Sequence, residues 1–129
     1  MQQDYLMRLL EQFSKVLAKI IGLKERGNNN KAIEIINETY ASLLKTDNLE
    51  INKSVTRELI EKFNDEQLNI IDDLLFEEGE ICLIEGRISD GQLKLKKALE
   101  LYQYLDEKQR TFSLDRENKI QKIKIFLGK

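Results

Sequence analysis

Residues 75–102, LFEEGEICLIEGRISDGQLKLKKALELY, limit the possible folds most tightly. Gly79, Gly86 and Gly91 punctuate two runs whose apolar residues recur at three and four, and Leu95 and Ala98 continue the second run. That recurrence is the period of an amphipathic helix, and a glycine between two such runs closes one helix in a left-handed turn before the next begins. The stretch therefore predicts a helix, a tight turn and a second helix folded back on the first. The chain has no proline, the commonest interior helix breaker, and no β-branched alternation of the kind a sheet requires. The expected fold class is all-α, built from antiparallel helix hairpins with about six helices.

At 129 residues, two separate cores would each be small, so one helical domain over 1–129 is expected. The first hairpin is placed at 4–46. Asp4 is its expected N-cap, and Leu6, Leu9, Leu10, Phe13, Val16, Leu17, Ile20, Ile21 and Leu23 form the apolar face. Gly27 is the terminator, with Lys24 and Arg26 in the last turn where the helix dipole favours cations. Ala32, Ile33, Ile36, Tyr40, Leu43 and Leu44 mark the return helix. An insertion at 47–63 brings Leu49 and Ile51 back to the core and holds one short helix, capped by Ser54, with Val55, Leu59, Ile60 and Phe63 inward. The second hairpin spans 64–108, its helices opened by capping boxes at Asn64/Gln67 and Ser89/Gln92. Residues 106–112 connect it to a last helix at 113–127, capped by Ser113, with Ile120, Ile123, Phe126 and Leu127 inward.

Charge and missing residue types narrow the chemistry. A net charge of −2 gives no general attraction to nucleic acid or to anionic lipid. With no histidine, every nucleophilic pair or metal site that needs imidazole is excluded. The single cysteine, Cys82, stands in an apolar run and reads as a small core residue, and a lone thiol suits a reducing, cytoplasmic setting. No segment approaches the roughly 20 apolar residues of a spanning helix, and the start lacks the pattern of a secretory signal. No glycine-rich phosphate loop is present. No catalytic residue, no cofactor and no resident metal are expected.

The spacing of Gly79, Gly86, Gly91, Leu95 and Ala98 resembles the tetratricopeptide repeat, in which small residues let paired helices approach closely. The same frame on the first hairpin gives Ile20, Gly27, Ala32, Ile36 and Thr39, where Ile20 and Thr39 depart from the small residues of the pattern. Neither copy has the early aromatic or the closing proline. Gly27 and Gly86 lie 59 residues apart, against ~34 in that family. The resemblance implies a short, degenerate array with a peptide-binding concave face. Its groove-facing positions would be Leu17, Ile21 and Lys24, then Phe76, Glu80 and Leu83. QDYLMRLLEQF at 3–13, LKERG at 23–27 and TFSLDR at 111–116 also resemble a family of small uncharacterised helical proteins from Gram-positive bacteria.

Two polar constellations remain. Tyr5, Arg8 and Gln12 share one side of the first helix, with Asp4 and Arg8 at i,i+4, so they form either a partner-binding cluster or a solvated helix start. Residues 65–85 carry Asp65, Glu66, Asp72, Asp73, Glu77, Glu78, Glu80 and Glu85 and, among the acids, no base. Asp72, Asp73 and Glu77 are the set from which a Mg²⁺ or Mn²⁺ site could be built. The other reading is a solvated or ion-paired face, with Glu78 alone near the apolar side. The basic last helix, with Arg116, Lys119, Lys122, Lys124 and Lys129, is either the partner of these acids or an exposed surface. The expected function is a non-enzymatic module or adaptor that binds a protein or peptide. The alternatives are a homo-oligomer, such as a dimer, that completes its core by self-association, and a divalent-metal enzyme using the acidic helix.

Overall fold

The computed structural model describes residues 2–110 and 112–128, and the side chain of Gln2 is not among them. Seven helices follow one another: α1 (Gln2–Glu25), α2 (Asn29–Leu44), α3 (Asn48–Lys53), α4 (Thr56–Lys62), α5 (Asp65–Ile84), α6 (Ile88–Gln109) and α7 (Leu114–Phe126). No strand occurs among the described residues. The helices gather into two compact units, Met1–Ser54 and Val55–Lys129.

In the first unit α1 pairs with α2. Gly27 ends α1 with φ +77°, and Asn28 N–H donates to the Leu23 carbonyl at 2.8 Å, the backbone closure of a glycine-terminated helix. Leu9, Phe13, Ile20 and Leu23 are buried from α1, and Ala32, Ile35, Ile36, Tyr40 and Leu44 from α2. Asp4 is not the N-cap. The helix already runs from Gln2, so Asp4 lies in the first turn, where its charge faces the unsatisfied N–H groups. Lys45 closes α2 in the left-handed region at φ 56°.

The insertion holds two short helices instead of one, which raises the count from six to seven. The Asp47 carboxylate accepts from Glu50 N–H at 2.7 Å and starts α3. Ser54 ends that helix, its hydroxyl donating to the Glu50 carbonyl at 2.8 Å, and so does not cap the next. The N-cap of α4 is Val55, whose N–H donates to Glu58 Oε1 at 2.9 Å. Ile51 is fully buried but Leu49 is exposed; Leu59 and Phe63 are buried, Ile60 is half-buried and Val55 exposed. Two short helices present fewer inward positions than one longer one.

In the second unit the expected hairpin forms from α5 and α6, joined by a turn in which Gly86 has φ +81°. Asn64 and Gln67 make the reciprocal capping box: Gln67 N–H donates to Asn64 Oδ1 at 2.8 Å and Asn64 N–H to Gln67 Oε1 at 3.0 Å. The Ser89/Gln92 box is absent. Arg87 occupies the N-cap of α6 with no side-chain cap bond, because the helix starts one residue before Ser89. α6 also runs to Gln109, into the predicted connection at 106–112, and Arg110 closes it in the left-handed region at φ 51°. Ser113 caps α7 as expected, accepting from Arg116 N–H at 3.2 Å. Ile120 and Ile123 are buried from α7, whereas Phe126 is exposed and Leu127 half-buried.

The glycines set how closely α5 and α6 cross. A Cβ on Gly79 would lie 2.7 Å from Leu95 Cδ2, and one on Gly91 would lie 2.7 Å from Leu83 Cδ2 and 3.0 Å from the Gly79 carbonyl oxygen. Each glycine receives a leucine from the facing helix, which is the spacing role the sequence assigned to them.

Candidate functional site

Chemistry-bearing side chains occupy two locations, one in each unit. The first is α1. It has 24 residues against 16 in its partner α2. Tyr5, Arg8 and Gln12 lie in its N-terminal half, all exposed, on one flank of the buried Leu9–Phe13–Ile20 face. Leu17, Ile21 and Lys24 lie half-buried on the opposite flank, about 100–160° around the helix from Tyr5 at 100° per residue. The structure therefore does not join the two predicted groups. It does extend the second group, because Met7 and Leu10 fall on the same flank and are 55% and 39% exposed. Met7, Leu10, Leu17 and Ile21 make an apolar stripe, interrupted by Ser14, that ends at Lys24. Periodicity alone had placed Leu10 in the core.

The second location is a polar layer where α5, α6 and α7 meet. Every third or fourth residue of α5 from Asn69 (Asn69, Asp73, Phe76, Glu80) falls on one stripe, the spacing of a single helix face. α7 packs on α6 and reaches that stripe with long cationic side chains. Arg116 is buried and donates to Asn69 Oδ1 at 3.2 Å, Asp106 Oδ1 at 2.9 Å and Gln109 Oε1 at 2.9 Å. Lys119 pairs with Asp73 at 3.0 Å and with Asp115 at 3.2 Å. Lys122 pairs with Glu80 at 2.7 Å. Lys119 and Lys122 also stand 5.6 and 5.8 Å from the centre of the Phe76 ring, within cation–π range. Two acids of α5, Asp73 and Glu80, are thus paired with the basic last helix, as the charge pattern allowed. Lys124 is half-buried at the end of α7, and Lys129 lies outside the described residues, as does Thr111.

Tyr102 of α6 completes the layer, its hydroxyl donating to Asp73 Oδ1 at 2.5 Å. Burial, and next the Asp73 carboxylate, push the Tyr102 phenol well above its usual range, so it remains a donor. Burial alone would lower the Lys119 ammonium, but Asp73 and then Asp115 outweigh it and the net shift is upward. Asp72 is the odd member: it is fully buried and neither carboxyl oxygen has a hydrogen-bond partner. Burial first, and then Asp73, raise its pKa well above 3.8, against the pull of Arg116 and Lys119, a shift that favours the neutral acid.

This layer changes three expectations. The acids of α5 do not form a solvated face with Glu78 as its exception: Asp72, Glu77, Glu78 and Glu80 are all buried. The helix carries its partners on several sides, so positions outside its apolar stripe are also enclosed. Asp72, Asp73 and Glu77 do not converge, and among the described residues no group of three or more His, Cys, Asp or Glu is placed to hold a metal ion. Phe76, Glu80 and Leu83 are taken up internally, the first two beneath α7 and the third against Gly91. Arg116, named among the bases of the last helix, takes its place in the register of Lys119 and Lys122, but its partners Asn69, Asp106 and Gln109 were not foreseen. Tyr102 was missed as a member of the layer, since nothing in the apolar periodicity of residues 75–102 signals its bond to Asp73.

The remaining features carry little chemistry. Cys82 is buried and its thiol is raised by burial, with Arg87 pulling the other way, so it is an unreactive core residue. A depression of about 470 Å³ between Ser89, Gln92, Leu93, Lys96 and Leu127 contains one charged group. No described helix is long and apolar enough to cross a membrane.

Residues 1–118 match the model of a family of unknown function, DUF6483. No curated protein and no solved structure matches the chain.

Proposed function

We propose that this chain, which belongs to the DUF6483 family of unknown function, is a non-enzymatic interaction module that binds an apolar segment of a partner protein along α1. The observation that carries this reading is the stripe Met7–Leu10–Leu17–Ile21, whose first two residues stay exposed. An amphipathic partner helix is recognised through apolar anchors at this spacing. Lys24 ends the stripe, which favours an acidic group at that end of the partner. Tyr5, Arg8 and Gln12 supply hydrogen-bonding groups on the other flank. The close crossing at Gly79 and Gly91 supports reading the α5–α6 hairpin as tetratricopeptide-like, and here its first-helix positions serve the protein's own last helix.

The test is capture from native lysate on immobilised protein, comparing wild type with Leu10→Glu and with Tyr5→Ala/Arg8→Ala. All three should give the same far-UV circular dichroism, because the altered side chains are solvent-accessible. The reading expects Leu10→Glu to lose the captured proteins and the double variant to weaken their retention. Identical capture by all three proteins would refute a role for α1.

A further inference from the structure

We propose that α7 is an exchangeable helix, and that two copies of this chain form a dimer in which each α7 docks on the Asn69–Asp73–Phe76–Glu80 stripe of the other. Three independent observations point to it. First, the fit between α7 and the stripe is largely polar and matched group for group: Arg116 to the Asn69 amide, Lys119 to Asp73 and Lys122 to Glu80. From α7 only Ile120 and Ile123 add buried apolar side chains. A helix held this way can leave its seat with little apolar surface to expose, and an identical seat on a second copy satisfies the same contacts.

Second, the residue that closes α6 is strained. Arg110 has φ 51°, a conformation that costs an L-residue with a side chain and that only glycine adopts freely. In the exchanged arrangement α6 no longer has to stop there, and Arg110 relaxes into helical or extended backbone. Third, the segment that follows leaves large apolar side chains in water: Phe112 is 77% exposed and Leu114 64% exposed. Exchange brings two hinges side by side, which gives these residues a partner they lack in the closed chain. Short, strained hinges are the setting in which domain swapping arises.

The occupant is therefore a second copy, and the test uses the full chain. Arg110→Gly and Arg110→Ala remove the same side chain and differ only in tolerance of positive φ. Dimer content is read by light scattering after size exclusion, over a concentration series. The proposal expects Ala to exceed Gly by about fivefold per hinge, hence roughly 30-fold in the dimer association constant. A second experiment separates exchange from ordinary side-by-side association. Glu80→Lys and Lys122→Glu, each alone, place like charges at the α7 seat in the closed chain and in the exchanged homodimer alike, so this contact leaves the association constant of either variant near that of the wild type. Their equimolar mixture forms more dimer than either alone, because only in the exchanged heterodimer does each α7 meet an opposite charge. Circular dichroism confirms that each variant is folded, and the hinge pair stands alone if a charge variant is not. Equal association by the two hinge variants, a mixture no more dimeric than its components, or a monomer at every concentration overturns the proposal.

Discussion

Gly79→Ala should destabilise the protein although it replaces the poorer helix former with the best one. In an unconstrained helix interior, Gly to Ala gains about 1 kcal/mol. Here the new methyl would sit 2.7 Å from Leu95 Cδ2 and 2.8 Å from Leu95 Cγ, whereas carbon atoms rest about 3.5–4.0 Å apart. The helices or the leucine must therefore yield by about 1 Å. Leu95 is fully buried, so it has no open side to rotate into. Forcing a methyl into such a core costs about 1–3 kcal/mol, and a double contact to one enclosed side chain belongs at the upper end. The net expectation is a loss of about 2 kcal/mol, read as a fall in Tm of roughly 6–10 °C for a chain of this size. Thermal and urea unfolding followed by circular dichroism measures it. The cycle with Leu95→Ala isolates the cause: truncation alone costs about 2–5 kcal/mol, and in the Gly79→Ala background it should cost about 1–3 kcal/mol less, since it removes the obstruction. A Gly79→Ala protein more stable than wild type, or a cycle that closes additively, would refute the close-crossing argument.

Two further outcomes follow from the polar layer and the caps. Folding transfers Asp72 into a site where its proton is held more tightly than in the unfolded chain, so its contribution makes stability fall as pH rises from its ordinary value near 3.8 towards its raised native one. The difference in unfolding free energy between Asp72→Asn and wild type should therefore shift in favour of Asn from pH 3 to pH 7, as followed by urea titrations; a pH-independent difference would contradict the raised pKa of this unpartnered carboxyl. Asn64→Ala removes the acceptor for Gln67 N–H and should cost about 1 kcal/mol in the same assay, with little change if the α5 terminus is already satisfied by water.

The helical class and the α5–α6 hairpin were legible because glycine spacing and apolar periodicity act locally: Gly79, Gly86 and Gly91 each do what their neighbours in sequence imply. Caps were legible where a side chain has one geometric use, as at Asn64 and Ser113. They failed where two uses compete. Ser54 reaches back to the Glu50 carbonyl, and that choice between closing α3 and opening α4 depends on where α3 begins. The burial of Asp72, Glu77, Glu78 and Glu80 was illegible for a different reason. Charge pattern along one helix does not report how many sides of it are covered, and the cations that neutralise Asp73 and Glu80 lie some 40 residues onward, in α7. On α1 the two flanks followed from helical geometry once the buried face was fixed. The exposure of Met7 and Leu10 beside the buried Leu9 was not legible, because the apolar periodicity of α1 covers more of its surface than is packed.

The binding role of α1 can be tested with the chain's own residues. Its two methionines are Met1 and Met7, and Met7 stands exposed on the apolar stripe. Uniform incorporation of photo-methionine therefore places photoreactive groups only at this end of the protein. Irradiation in native lysate, followed by mass spectrometry of the adducts, is predicted to join Met7 to a discrete partner peptide, with the adduct abolished by Leu10→Glu. Irradiation that yields only unconjugated chain, or adducts that persist unchanged in Leu10→Glu, would contradict the assignment of α1 as the binding surface.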